Sequence, residues 1–134
     1  MIVVDTNLLA YSVLPSEHGE LARQVAARDP AWLAPPIWRL ELRNVLATAM
    51  RVRGLGLDRA VEAFSGAEAL VADADVQPTT QECLEIAARG AVSGYDAEFV
   101  FVAERLDLVL VTGDRRLARA FPGRVQRIEE FAAR

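Results

Sequence analysis

Four carboxylates stand where the surrounding residues give them chemical potential: Asp5, Glu41, Asp96 and Asp114. Asp5 and Asp114 each follow a strong aliphatic run, Ile2-Val3-Val4 and Leu108-Val109-Leu110-Val111. Runs of this kind are strands buried on both faces, as parallel α/β sheets contain. In such sheets ligands gather at the carboxyl ends of the strands. Glu41 comes four residues after Ile37 and four before Val45, so it shares a helical stripe with apolar neighbours. Arg39 and Arg43 are two residues away and do not share that face. A carboxylate among apolar groups is costly unless it is paired or binds a cation. Asp96 opens a mostly apolar stretch, Ala97 to Leu106, expected to be a buried helix.

Acids gathered at one sheet edge repel each other unless cations join them. Mg²⁺ and Mn²⁺ suit an all-oxygen site. Two such ions roughly 4 Å apart can activate water and steady the leaving oxygen of a phosphodiester. Helix starts at Thr6, Asp96 and Arg115 would add N–H donors for a phosphate. The chemistry expected is metal-dependent phosphodiester hydrolysis. Each acid also has a plainer reading. Asp5, Asp96 and Asp114 are good helix caps or first-turn acids, each worth about 1 kcal/mol, and Glu41 could be a solvated helix residue.

The elements that must position these groups alternate between strand and helix. After the first strand, helices are expected over Thr6–Val13 and Glu17–Arg28, the second capped by Ser16. A strand at Ala31–Ala34 is closed by Pro35-Pro36. A long helix then runs from Ile37 to Arg53, ending at Gly54. Another follows from Leu57 to Ala72, with Gly66 weakening its continuity. Asp75-Val76-Gln77 reads as a brief edge strand. Thr79-x-x-Glu82 is a capping box opening a helix to Ala91, and Ser93-x-x-Asp96 resembles another helix start. The strand at Leu108–Val111, a helix from Arg115 to Phe121 and a weak strand at Val125-Gln126 close the chain. The pattern predicts one three-layer α/β/α domain over residues 1–134, with a central, mainly parallel sheet of four to five strands.

Composition narrows the chemistry. The chain has 134 residues, 52% of them hydrophobic, enough for a core without staples. No apolar run approaches a membrane span, and the N-terminus lacks the basic region of a signal peptide. The lone Cys83 fits a reducing, cytoplasmic setting. All 15 basic residues are arginine. Without lysine a P-loop nucleotide site is excluded. The net charge of −4 is the wrong sign for a generally basic nucleic-acid-binding surface. Withdrawing four acids to bind cations leaves the remaining charges balanced, so nucleic acid is permitted but not advertised.

Taken together, Val4-Asp5-Thr6-Asn7, Glu41-x-x-Asn44, Tyr95-Asp96-Ala97 and Val111-Thr112-Gly113-Asp114, in this order and over essentially the whole length, resemble PIN-domain proteins, specifically VapC toxins of toxin–antitoxin pairs. The resemblance implies an RNA-cleaving enzyme using one or two Mg²⁺ or Mn²⁺ ions, with Asp5, Glu41, Asp96 and Asp114 as metal-binding acids. It implies that Thr6 and Thr112 support the site through their hydroxyls, and that Asn7 and Asn44 hold carboxylates in place. A further acid found in some relatives is missing: Arg115, Arg116, Leu117 and Ala118 follow Asp114. Four acids would then hold one ion firmly and a second only with substrate. The resemblance also implies a homodimer and a cognate antitoxin, with candidate apolar contacts along Trp38–Met50 and Leu57–Val71.

Other residues carry less. His18 is expected to be exposed and inactive, Cys83 to pack, and Trp32 and Trp38 to serve the core rather than stack bases. Arg39, Arg43, Arg115, Arg116 and Arg119 are candidates to contact an RNA backbone, although solvated helix faces would look the same. Two other classes stay open. Phosphoryl transfer through an aspartyl phosphate is disfavoured by the missing lysine and by Asp5-Thr6-Asn7 lacking a second acid. A PIN-like module that binds RNA or antitoxin without cutting is the alternative to an active nuclease.

Overall fold

A computed structural model describes residues 1–134. Five short strands, β1 (Ile2–Val4), β2 (Trp32–Ala34), β3 (Val71–Asp73), β4 (Leu110–Thr112) and β5 (Val125–Arg127), form one all-parallel sheet in the order β3-β2-β1-β4-β5. Between β1 and β2 lie α1 (Thr6–Val13) and α2 (Gly19–Arg28). Helices α3 (Trp38–Arg53) and α4 (Leu57–Leu70) connect β2 to β3. The chain then returns through α5 (Thr80–Gly90) and α6 (Gly94–Arg105) to β4, and α7 (Arg115–Ala120) leads to β5. A final helix, α8 (Ile128–Ala132), packs on α2. Right-handed crossovers put successive connections on opposite faces when the direction across the sheet reverses. Helices α1 to α4 therefore share one face, while α5, α6 and α7 cover the other.

The sheet reverses its winding between β1 and β4, the place where parallel α/β sheets open a crevice at their carboxyl ends. Val3, Val4, Leu110 and Val111 are fully buried there, covered by Leu8 and Leu9 from α1 and by Val100 and Val102 from α6. The apolar stretch of α6 is thus buried as its composition requires, and one cluster of 32 residues forms the core.

Several boundaries differ from the sequence expectation. The third strand is Val71–Asp73, not Asp75–Gln77. It pairs with Trp32–Ala34, and this tertiary pairing ends α4 at Leu70, where the local sequence carries no stop signal. Gly66 does not break α4; a Cβ there would lie 3.4 Å from a Val13 methyl, so it permits close approach of α1. Ser16 does not cap α2: its hydroxyl accepts the His18 N–H, and the helix starts at Gly19. The β4 strand spans Leu110–Thr112, and α8 was not expected at all.

Candidate active site

Asp5 ends β1 and caps α1 at once. Its Oδ1 accepts the Leu8 N–H at 2.9 Å, while Oδ2 accepts the Gly113 N–H at 3.2 Å and the Thr112 hydroxyl. Asp5 thus caps α1, and its bond to Thr112 ties β1 to β4 across the crevice. Glu41, in the first turn of α3, accepts the Thr6 hydroxyl at 2.8 Å on Oε1. Asp96 sits in the first turn of α6, whose cap is Ser93. Asp114 caps α7, accepting the N–H groups of Arg116 and Leu117 on Oδ1.

These four carboxylates line one small pocket of about 90 Å³, together with Thr6, Asn7 and Thr112 and the apolar walls Phe99 and Leu117. No basic side chain lines it. Glu41 Oε2 and Asp114 Oδ2 take no hydrogen bond from the protein. No three of the acids close to chelating distance of one another. They face a common space without converging.

The electrostatics follow from this arrangement. Burial pushes Asp5 up to about 6 from 3.8, against the opposing hydrogen bonds of Thr112, Leu8 and Gly113, and the negative charge of Glu41 adds to the rise. Burial also raises Glu41, opposed by the Thr6 hydroxyl and reinforced by Asp96. Asp96 is raised by burial, opposed by Ser93 and reinforced by Asp114. The acids are thus a chain of mutually repelling groups, Asp5 to Glu41 to Asp96 to Asp114. That is the donor chemistry a hard divalent cation requires: oxygens only, some unsatisfied, with no resident positive charge to displace.

The supporting residues divide. Thr6 and Thr112 hold carboxylates, as expected. Asn7 lines the pocket but is exposed and holds no carboxylate. Asn44 is exposed and lies outside the pocket lining. At the helix starts, Asp5, Ser93 and Asp114 take the N–H groups of Leu8, Asp96, Arg116 and Leu117. The Gly113 N–H, which fixes Asp5, was not anticipated; a backbone donor leaves no signature in side-chain types.

The arginines scatter as well. Arg39 donates to both oxygens of Asp73 on the far side of the sheet, and Arg43 lies over the Phe64 ring at 5.1 Å. Arg115 and Arg119 line a separate cavity on the other side of α7, but Arg116 does not. Trp32 and Trp38 are buried, with their indole N–H groups donating to the Asp29 carbonyl and Asp73. His18 packs beside Tyr11 and the Cys83 thiol lies by the Gly94 carbonyl, both outside the pocket.

The sequence matches the PIN domain family over residues 2–121. The chain belongs to that family, whose members are generally nucleases, hydrolases that usually employ divalent metal ions. Among solved structures it resembles PAE2754 from Pyrobaculum aerophilum, with a TM-score of 0.76 and 22% identity. The alignment covers 98% of this chain and 86% of that one, so the fold is shared almost end to end. A search of curated proteins returned no significant match.

Proposed function

We propose that this protein is a metal-dependent endoribonuclease, the VapC-type toxin of a type II toxin–antitoxin pair. The observation that carries the enzymatic part is the pocket itself: four acids, three of them raised by burial and by one another, with no basic side chain among them. Mg²⁺ or Mn²⁺, as one or two ions, would be held by Asp5, Glu41, Asp96 and Asp114. Bound there, the ion supplies an activated water and stabilises charge on the phosphate. The chain's own part is positioning. Thr112 and Gly113 fix the Asp5 carboxylate, Thr6 fixes Glu41, and Phe99 with Leu117 limits water on one side. The half-free acids present oxygens toward the pocket while their helices hold them in place.

The toxin reading rests on the resemblance of the four motifs to VapC proteins. It brings a homodimer and a cognate antitoxin as partners and the cytoplasm as the setting. Leu40 and Val52 on α3 and Leu57 and Val61 on α4 are each more than half exposed, which supports a partner surface on these helices. The second reading, a PIN-like module that binds RNA or antitoxin with little catalysis, is favoured by one observation: the acids do not converge.

A broad RNA panel incubated with Mg²⁺ or Mn²⁺ decides between them. Cleavage abolished by EDTA and by Asp96→Asn supports the nuclease. Folded protein that cuts nothing in the panel supports the binding module.

A further inference from the structure

A cavity of about 670 Å³, far larger than the acid pocket, lies between α7, β5 and the C-terminal end of α8. Four arginines line it, Arg115, Arg119, Arg127 and Arg134, against one acid, Glu130. On a chain of net charge −4 this is a concentrated positive region. Arg115, Arg119 and Arg134 take part in none of the ion pairs. Arg127 pairs with Glu129 at 3.2 Å, yet its buried Nε–H has no acceptor. An unmet N–H of that kind costs about 1–3 kcal/mol, so an acceptor that re-seats the guanidinium is rewarded.

The cavity adjoins the acid pocket. Asp114 and Leu117 of the α7 segment face the acids, whereas Arg115, Ala118 and Arg119 face the cavity. Arg127 is the register partner of Thr112, whose hydroxyl holds Asp5.

We propose that this cavity is a phosphate-binding site for the RNA backbone, seating a phosphate of the strand beyond the one held at the acids. The inference rests on the nuclease reading for the identity of the strand. One acidic and one basic region, divided by one short helix, then have distinct tasks: the acids take the metal, and the arginines take phosphates without reading bases. An acidic protein segment is the competing occupant.

The test is binding of a fully 2′-O-methylated, noncleavable RNA oligonucleotide in EDTA, followed by fluorescence anisotropy over a range of salt. Arg119→Gln is compared with Arg116→Gln, the same charge change on the same helix outside the cavity. The expectation is about five- to tenfold weaker binding for Arg119→Gln, with the salt slope reduced by about 0.7, and less than about twofold for Arg116→Gln. Equal loss in both variants, no loss in either, or no binding by the unaltered protein overturns the proposal. So does displacement of the RNA by a poly-glutamate peptide that itself depends on Arg119. Mn²⁺-dependent cleavage is measured in parallel on unmodified RNA. Arg119-dependent binding without any cleavage leaves this site standing and removes the nuclease, while cleavage with Arg119-independent binding does the reverse.

Discussion

Two carboxylate sites at the carboxyl edge of the same sheet are treated in opposite ways. Asp73, at the end of β3, accepts the Arg39 guanidinium on both oxygens and the buried Trp38 indole N–H as well. Partial desolvation of this exposed carboxylate, the largest effect, is outweighed by these partners, and its carboxyl lies below its ordinary value. Asp5, just beyond β1, is raised by burial, which its neutral donors only partly offset and the charge of Glu41 reinforces. The fold supplies a cation where a charge serves packing and withholds one from the crevice between β1 and β4. That contrast distinguishes a structural acid from one kept available.

The largest expected break in this contrast is at the pocket. Asp96→Asn or Glu41→Gln should lower metal-dependent RNA cleavage by more than about 100-fold, because groups that only support metal ligands already cost 10–100-fold. Circular dichroism should show the fold intact, since neither side chain closes the core. Thr112→Val comes next. Removing the hydroxyl that holds Asp5 should cost about 10–100-fold in cleavage or metal affinity, measured as initial rates against Mn²⁺ concentration.

Asp73→Ala should do the opposite. It leaves the Trp38 N–H buried without an acceptor and frees Arg39, costing about 1–2 kcal/mol in chemical denaturation, with the Mn²⁺ requirement of cleavage unchanged. A loss of metal dependence there would erase the distinction between the two sites.

How far the sequence showed this contrast depends on the distance between partners. The acids were legible because each stands beside its own strand or apolar helix, so local pattern located them. The strands β1 and β2 were legible for the same reason, and β4 to within two residues. Arg39 was not legible: its partner Asp73 is 34 residues away and joins it only once β3 pairs with β2. The same strand was misplaced, since Val71-Ala72-Asp73 continues a helical pattern and only its neighbour makes it extended. Arg127 and Arg134 were likewise passed over, because they meet Arg115 and Arg119 only after β5 docks and α8 turns back. Asn44 illustrates the reverse limit: a motif position does not itself create a contact.

The smallest effect sharpens the comparison through pH. An acid whose folded value is raised binds its proton more tightly in the folded state, so stability falls as pH rises from the unfolded value near 3.8 to about 6 for Asp5. Glu41 and Asp96 act in the same direction. Asp73, being lowered, contributes stability above its ordinary carboxylate range that is lost as pH falls through its folded value. In EDTA, Glu41→Gln should therefore flatten the decline in melting temperature as pH rises above the ordinary carboxylate range, while Asp73→Asn should flatten the loss at lower pH.

Calorimetric titration of Mn²⁺ into the protein at neutral pH tests most directly whether the four-acid pocket binds a divalent cation. Saturable binding by the unaltered chain, lost in Asp96→Asn and retained in Asp73→Asn, is the outcome this account predicts. Absence of binding, or binding that survives Asp96→Asn undiminished, would contradict it.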